Sequence, residues 1–110
     1  VNKVAARCPE CLAELRKVQP HQIFCSTTHK RAYNNRWLTR GAVLAPLQAA
    51  GRYTRYGSRG DQAARETGRK ASRDANSLLQ RWLEEDRAAG RMPTVDYVAL
   101  RYRHGLVEIA

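Results

Sequence analysis

Cysteines stand at positions 8, 11 and 25 and a histidine follows at 29, with no other cysteine in the 110 residues. Read together they form C-x2-C, thirteen intervening residues, then C-x3-H. Zinc takes thiolate and imidazole ligands in a tetrahedron, and a C-x2-C pair can grip one ion from a tight backbone knuckle. A cysteine just ahead of a helix and a histidine one turn inside it point the same way. Four protein ligands leave no open coordination position. The expected cofactor is therefore one structural Zn2+, bound by Cys8, Cys11, Cys25 and His29. Two other readings compete. A redox C-x2-C needs a helix N-terminus following the strand of a βαβ unit, and neither is apparent around Cys8 and Cys11. His21 or His104 could replace His29, but His21 lies in a presumed hairpin, His104 is remote in sequence, and only His29 has the one-turn offset from Cys25.

A chain of this length supports one modest domain, or a very small one with a helical extension. Much of its 43% hydrophobic content is alanine, with one Phe and two Trp, so a small helical core reinforced by metal is expected. Residues 1–25 lack helical periodicity, and "QPHQIFC" reads as half of a short hairpin that sets Ile23 and Phe24 beside the metal. From Ser26, an N-cap, a helix runs to a stop at Gly41. Its apolar face holds His29, Ala32, Tyr33, Trp37 and Leu38, whereas Lys30, Arg31, Asn34, Asn35 and Arg40 lie largely on the others. "AVLAPLQAAG" reads as a second short helix ending at Gly51, with Pro46 in its first turn or at a kink. "RYTRYGSRGD", residues 52–61, reads as a loop or mobile arm.

A long helix is expected over 61–89, capped by Asp61 and stopped by Gly90. Ala64, Thr67, Ala71, Ala75, Leu78, Leu79, Trp82 and Leu83 form its apolar stripe, and the last four are read as core rather than as a partner interface. Thr94 would cap a last helix closed by Gly105, before a tail "LVEIA" that packs or forms a short strand. The expected organisation is a zinc-binding module over 1–51, a basic arm over 52–61 and a helical extension over 62–110 that packs on the module.

The run "CPEC…IFCSTTHKRAYNNRWLTRG" resembles the short bacterial and phage zinc fingers of treble-clef type, through Cys8, Pro9, Cys11, Phe24, Cys25, Ser26, Arg31 and Ala32. The resemblance covers residues 8–41 and departs twice: the family's glycine after the second cysteine is Leu12, and its fourth cysteine is His29. It implies a mainly α protein that begins with a small treble-clef-like zinc finger. Treble clefs also serve nucleases, but those need further histidines around an open metal, and no second histidine follows His29 nearby; an enzyme is not expected.

The net charge of +10 is uneven. Residues 30–73 carry eleven positive and two negative side chains, +9, against +2 before them and −1 after. A basic block between near-neutral ends is an electrostatic footprint for a polyanion. Lys30, Arg31, Asn34, Arg36 and Arg40 could meet base edges from the first helix. Arg52, Tyr53, Arg55, Tyr56 and Arg59 suit phosphates and stacking, and Arg65, Arg69, Lys70 and Arg73 extend the surface along the long helix. The expected partner is double-stranded DNA, and the expected role that of a small bacterial or phage transcriptional regulator. The alternative is a zinc-stabilised adaptor that contacts the transcription machinery through the C-terminal helices. No run approaches a membrane span and no secretory h-region is present, so a cytoplasmic location, where thiols stay reduced, is the default.

Overall fold

A computed structural model describes residues 6–16, 21–55 and 58–105. The protein is mainly helical: α1 spans Thr27–Tyr53, α2 Gln62–Ala88 and α3 Thr94–Arg103. Among the described residues the β structure is one isolated antiparallel bridge, Arg7 to Glu14. Residues 19 and 20 of the expected hairpin half and the 106–110 tail lie outside the described residues. No helix among those residues is long and apolar enough to cross a membrane. The chain divides into two compact units, one joining Val1–Asn34 to Leu83–Ala110, the other Asn35–Trp82.

Several helix ends follow from local chemistry. Ser26 Oγ accepts from His29 N at 3.2 Å and starts α1; Asp61 Oδ1 accepts from Ala64 N at 2.8 Å and starts α2. After α2, Gly90 adopts φ 74°, its N–H reaches Arg87 O at 3.1 Å, and Arg91 N reaches Asp86 O at 2.9 Å. This paired closure needs a left-handed residue, which glycine supplies at little cost. Gly105, φ 65°, closes α3. Thr94 does not cap that helix: it is the first helical residue, behind Pro93, and no side chain makes a capping hydrogen bond there.

The two short helices expected before residue 52 are one helix. Neither Gly41 nor Gly51 takes the left-handed conformation that would end it. Pro46 has no N–H to offer the Ala42 carbonyl, yet α1 runs through it. Leu44 and Gly51, on either side, are both buried, so tertiary packing holds the segment helical. Arg52 and Tyr53 therefore form the last helical residues of α1 instead of opening an arm.

Within the unit Asn35–Trp82, α1 and α2 pack through small residues. Gly51 lies against the Ser72 side chain and Gly68 against the Thr54 side chain. Ala71 and Ala75 are buried with them, whereas Leu78, Leu79 and Trp82 are only half-buried and Leu83, in the other unit, is 45% exposed. The core thus lies nearer the alanine end of the expected stripe. Closely approaching helix backbones leave room for methyl groups and hydroxyls, but not for leucines.

In the other unit, Cys8 and Pro9 are the largest fully buried side chains, and Ile23, Phe24 and Tyr33 are buried as well. Phe24 and Tyr33 rings lie 5.4 Å apart, and Tyr97 of α3 adds a third ring 4.6 Å from Tyr33. Met92 N donates to Pro9 O at 3.0 Å, and the Arg91–Asp86 ion pair, 2.9 Å, holds the turn between α2 and α3.

Candidate metal centre and basic surface

Residues 7–14 fold back on themselves. Cys8 N donates to Ala13 O at 2.9 Å, Leu12 N to Cys8 O at 2.8 Å, and Leu15 N to Ala6 O at 2.8 Å. Closing so tight a turn requires Leu12 to adopt φ 62°, the left-handed region that disfavours a β-carbon. The knuckle brings Cys8 and Cys11 toward the start of α1, where Cys25 precedes the Ser26 cap and His29 sits in the first turn.

These four residues converge. Their sulfur and ring-nitrogen atoms all lie within 4.8 Å of one another, and together they could hold a metal ion. Cys11 Sγ is 3.8 Å from Cys25 Sγ, Cys8 Sγ 3.9 Å from His29 Nδ1, and Cys25 Sγ 3.1 Å from His29 Nδ1. His21 and His104, the alternative ligands, instead face each other with ring centroids 5.8 Å apart.

The knuckle also tunes the thiols. Burial pushes Cys8 up, but hydrogen bonds from the backbone of Cys25, Glu10 and Cys11 and from the His29 side chain outweigh it, lowering the group from 9.0 to about 7. Cys11 goes the other way. The Ala13 backbone pulls it down, but burial and the neighbouring Cys25 and Cys8 thiols hold it above its ordinary value.

The basic residues separate into several environments. Lys30, Arg31 and Asn34 are exposed on α1 in the unit that carries the cysteines. Arg40, expected on the exposed face, is 5% exposed; its guanidinium carbon lies 4.7 Å from the Trp37 ring centre and 5.5 Å from that of Trp82. A guanidinium is planar and more weakly hydrated than an ammonium, so stacking on two indoles offsets part of the cost of burying it. Arg36 is half-buried. The signal missed in the sequence was Trp37 three residues before Arg40, one helical turn away.

The arm is more structured than its composition suggests. Thr54, buried, donates its hydroxyl to Ala50 O and Gly51 O, and its own carbonyl accepts from both Ser58 N and Arg59 N at 2.7 Å. Arg55 takes φ 48° to make this turn. Arg52, Tyr53, Arg55 and Arg59 are exposed, whereas Tyr56 lies outside the described residues. On α2, Arg65 donates to Gly60 O at 3.1 Å, Lys70 pairs with Asp74 at 2.7 Å, and Arg69 and Arg73 are exposed. Sequence reasoning missed Gly51 and Gly68 as contact residues. An isolated glycine in a helical pattern was the available signal.

Comparison with known proteins found no match: no family model, curated protein or solved structure corresponds to the chain.

Proposed function

We propose that this is a zinc-stabilised DNA-binding protein of the short treble-clef type, acting as a small bacterial or phage transcriptional regulator. The convergence of Cys8, Cys11, Cys25 and His29 carries the zinc half of the reading. Zinc–sulfur bonds of about 2.3 Å in a tetrahedron separate two sulfurs by about 3.8 Å, which matches Cys11 and Cys25. Three thiolates and an imidazole suit zinc better than hard cations such as magnesium or calcium, which take oxygen ligands. With all four positions filled by protein, the ion serves structure, and no catalytic step is assigned to it.

The nucleic-acid half is supported by charge. Residues 35–82 carry ten Lys and Arg against the three acids Asp61, Glu66 and Asp74. Arg52, Arg55 and Arg59 supply phosphate contacts in this reading, while Arg31 and Asn34 on α1 add whatever base preference exists. Duplex affinity measured against salt tests it. Replacing the three arginines should weaken binding to all duplexes alike and shallow the slope of log affinity against log salt by up to about three units. An unchanged slope rejects the phosphate contacts, and absence of salt-dependent duplex binding rejects the reading.

One observation favours a protein contact as a second reading. α3 buries no residue, and Val95, Val98 and Tyr102, spaced along one helical face, are exposed. An adaptor that uses this face would bind its protein partner without requiring any duplex affinity.

A further inference from the structure

A cleft of about 260 Å3 lies between α1 and α2 within the unit Asn35–Trp82, lined by Gln48, Arg52, Ser72, Ala75 and Asn76. Gln48 and Arg52 are four residues apart on α1, Ser72 and Asn76 four apart on α2, so each helix turns two polar side chains to the same side. Ala75 is buried, whereas Gln48, Arg52 and Asn76 are exposed, so polar groups surround a small apolar floor that solvent can reach. The Ser72 side chain lies against Gly51 of α1.

The electrostatics of the cleft have one sign. No lining residue is acidic, and among the described residues none of the four polar side chains has a hydrogen-bond or ion-pair partner. The acids of this unit are engaged elsewhere: Asp61 caps Ala64 N, Glu66 Oε1 accepts from Gln62 Nε2 at 3.3 Å, and Asp74 holds Lys70. The cleft therefore offers one guanidinium, two carboxamide N–H2 groups and one hydroxyl, with no competing carboxylate. A group with negative charge and several acceptor oxygens complements that set, and arginine binds phosphate through paired N–H donors.

We propose that this cleft is a phosphate-group site: Arg52 supplies the charge, Ser72 and Asn76 donate from α2, Gln48 donates from α1, and the group is a backbone phosphodiester of nucleic acid. The identity of the phosphate rests on the nucleic-acid reading above; the cleft's preference for phosphate does not. Because its residues come from two helices, the site fixes one phosphate in register, whereas the exposed Arg55 and Arg59 follow the backbone more loosely.

The side-chain amide resonances of Gln48 and Asn76 in 15N-labelled protein test this, titrated separately with a short DNA duplex and with inorganic phosphate. The duplex should shift both amide pairs. Arg52→Gln should abolish those shifts and shallow the salt slope by about one unit. Asn76→Ala, at an exposed helical position, should weaken the duplex several-fold while leaving the fold intact. If the duplex binds but both amides stay still and Arg52→Gln behaves as wild type, the cleft is not a phosphate site and the nucleic-acid reading survives. If no duplex binds but inorganic phosphate shifts both amides, the cleft is a site for a small phosphate and the nucleic-acid reading fails. If neither probe moves them, the proposal is overturned.

Discussion

The Thr54 side chain occupies the space that a β-carbon on Gly68 would need, with its own Cβ only 2.7 Å from that position. Thr54 cannot easily withdraw, because it is buried and its hydroxyl is bonded to the Ala50 and Gly51 carbonyls. Gly68→Ala should therefore destabilise the protein by about 1–3 kcal/mol, as overpacking does, despite alanine's higher helix propensity. Gly41→Ala is the control. Nothing lies within 4 Å of a β-carbon there, so it should stabilise by up to about 1 kcal/mol. Thermal or urea unfolding of the two variants checks the opposite signs; equal shifts would contradict the packing.

Leu12 closes the knuckle with φ 62°. A non-glycine residue in that region costs roughly 1–2 kcal/mol, and glycine returns part of this through its greater freedom when unfolded. Leu12→Gly should raise stability by roughly 0.5–1 kcal/mol, with metal content unchanged. A loss of stability in urea melts would mean that the half-buried Leu12 side chain contributes more than the backbone strain costs.

The Arg40 guanidinium lies over the Trp37 and Trp82 rings. Lysine keeps the charge but lacks the planar face, so Arg40→Lys should cost about 1–2 kcal/mol and change the tryptophan emission. Its effect on the salt dependence of duplex binding should be close to nil, unlike that of the arm arginines. A salt slope shallower by a full unit would return Arg40 to the interface.

Metal removal should act on one unit. Phe24, Tyr33 and Tyr97 form a ring cluster in the unit that carries Cys8, Cys11, Cys25 and His29. Chelation, or Cys25→Ala, should abolish the near-ultraviolet signal of these aromatic rings. An unchanged spectrum and melting curve would oppose a structural metal. Protein purified without added zinc should retain close to one equivalent; less than about half would count against the site. The pH dependence follows from the thiols. Metal binds thiolates, so protons compete as pH falls, and the fold holds Cys11 above its ordinary value. Apparent zinc affinity should rise from pH 6 through the alkaline range, and a flat profile in a competition titration would contradict this.

Much was legible in the residues themselves wherever the chemistry is local. The convergence of Cys8, Cys11, Cys25 and His29, which could hold a metal ion, was legible because Cys25 and His29 are one turn apart and Cys8 and Cys11 share one knuckle. Ser26, Asp61, Gly90 and Gly105 mark helix ends because each acts on backbone groups within a few residues of itself. Tertiary structure decided the rest. Gly41, Pro46 and Gly51 look like stops, yet α1 continues because Leu44 and Gly51 are buried against the rest of their unit. Arg40 reads as a surface charge until Trp82, forty-two positions away, supplies the second ring that lets it be buried. Gly68 reads as a weak helix residue until Thr54 fills the space beside it. A cap or a ligand pair depends on bonds that the chain makes with itself over one turn. Burial depends on which distant segment arrives to exclude water, and periodicity within one helix cannot specify that.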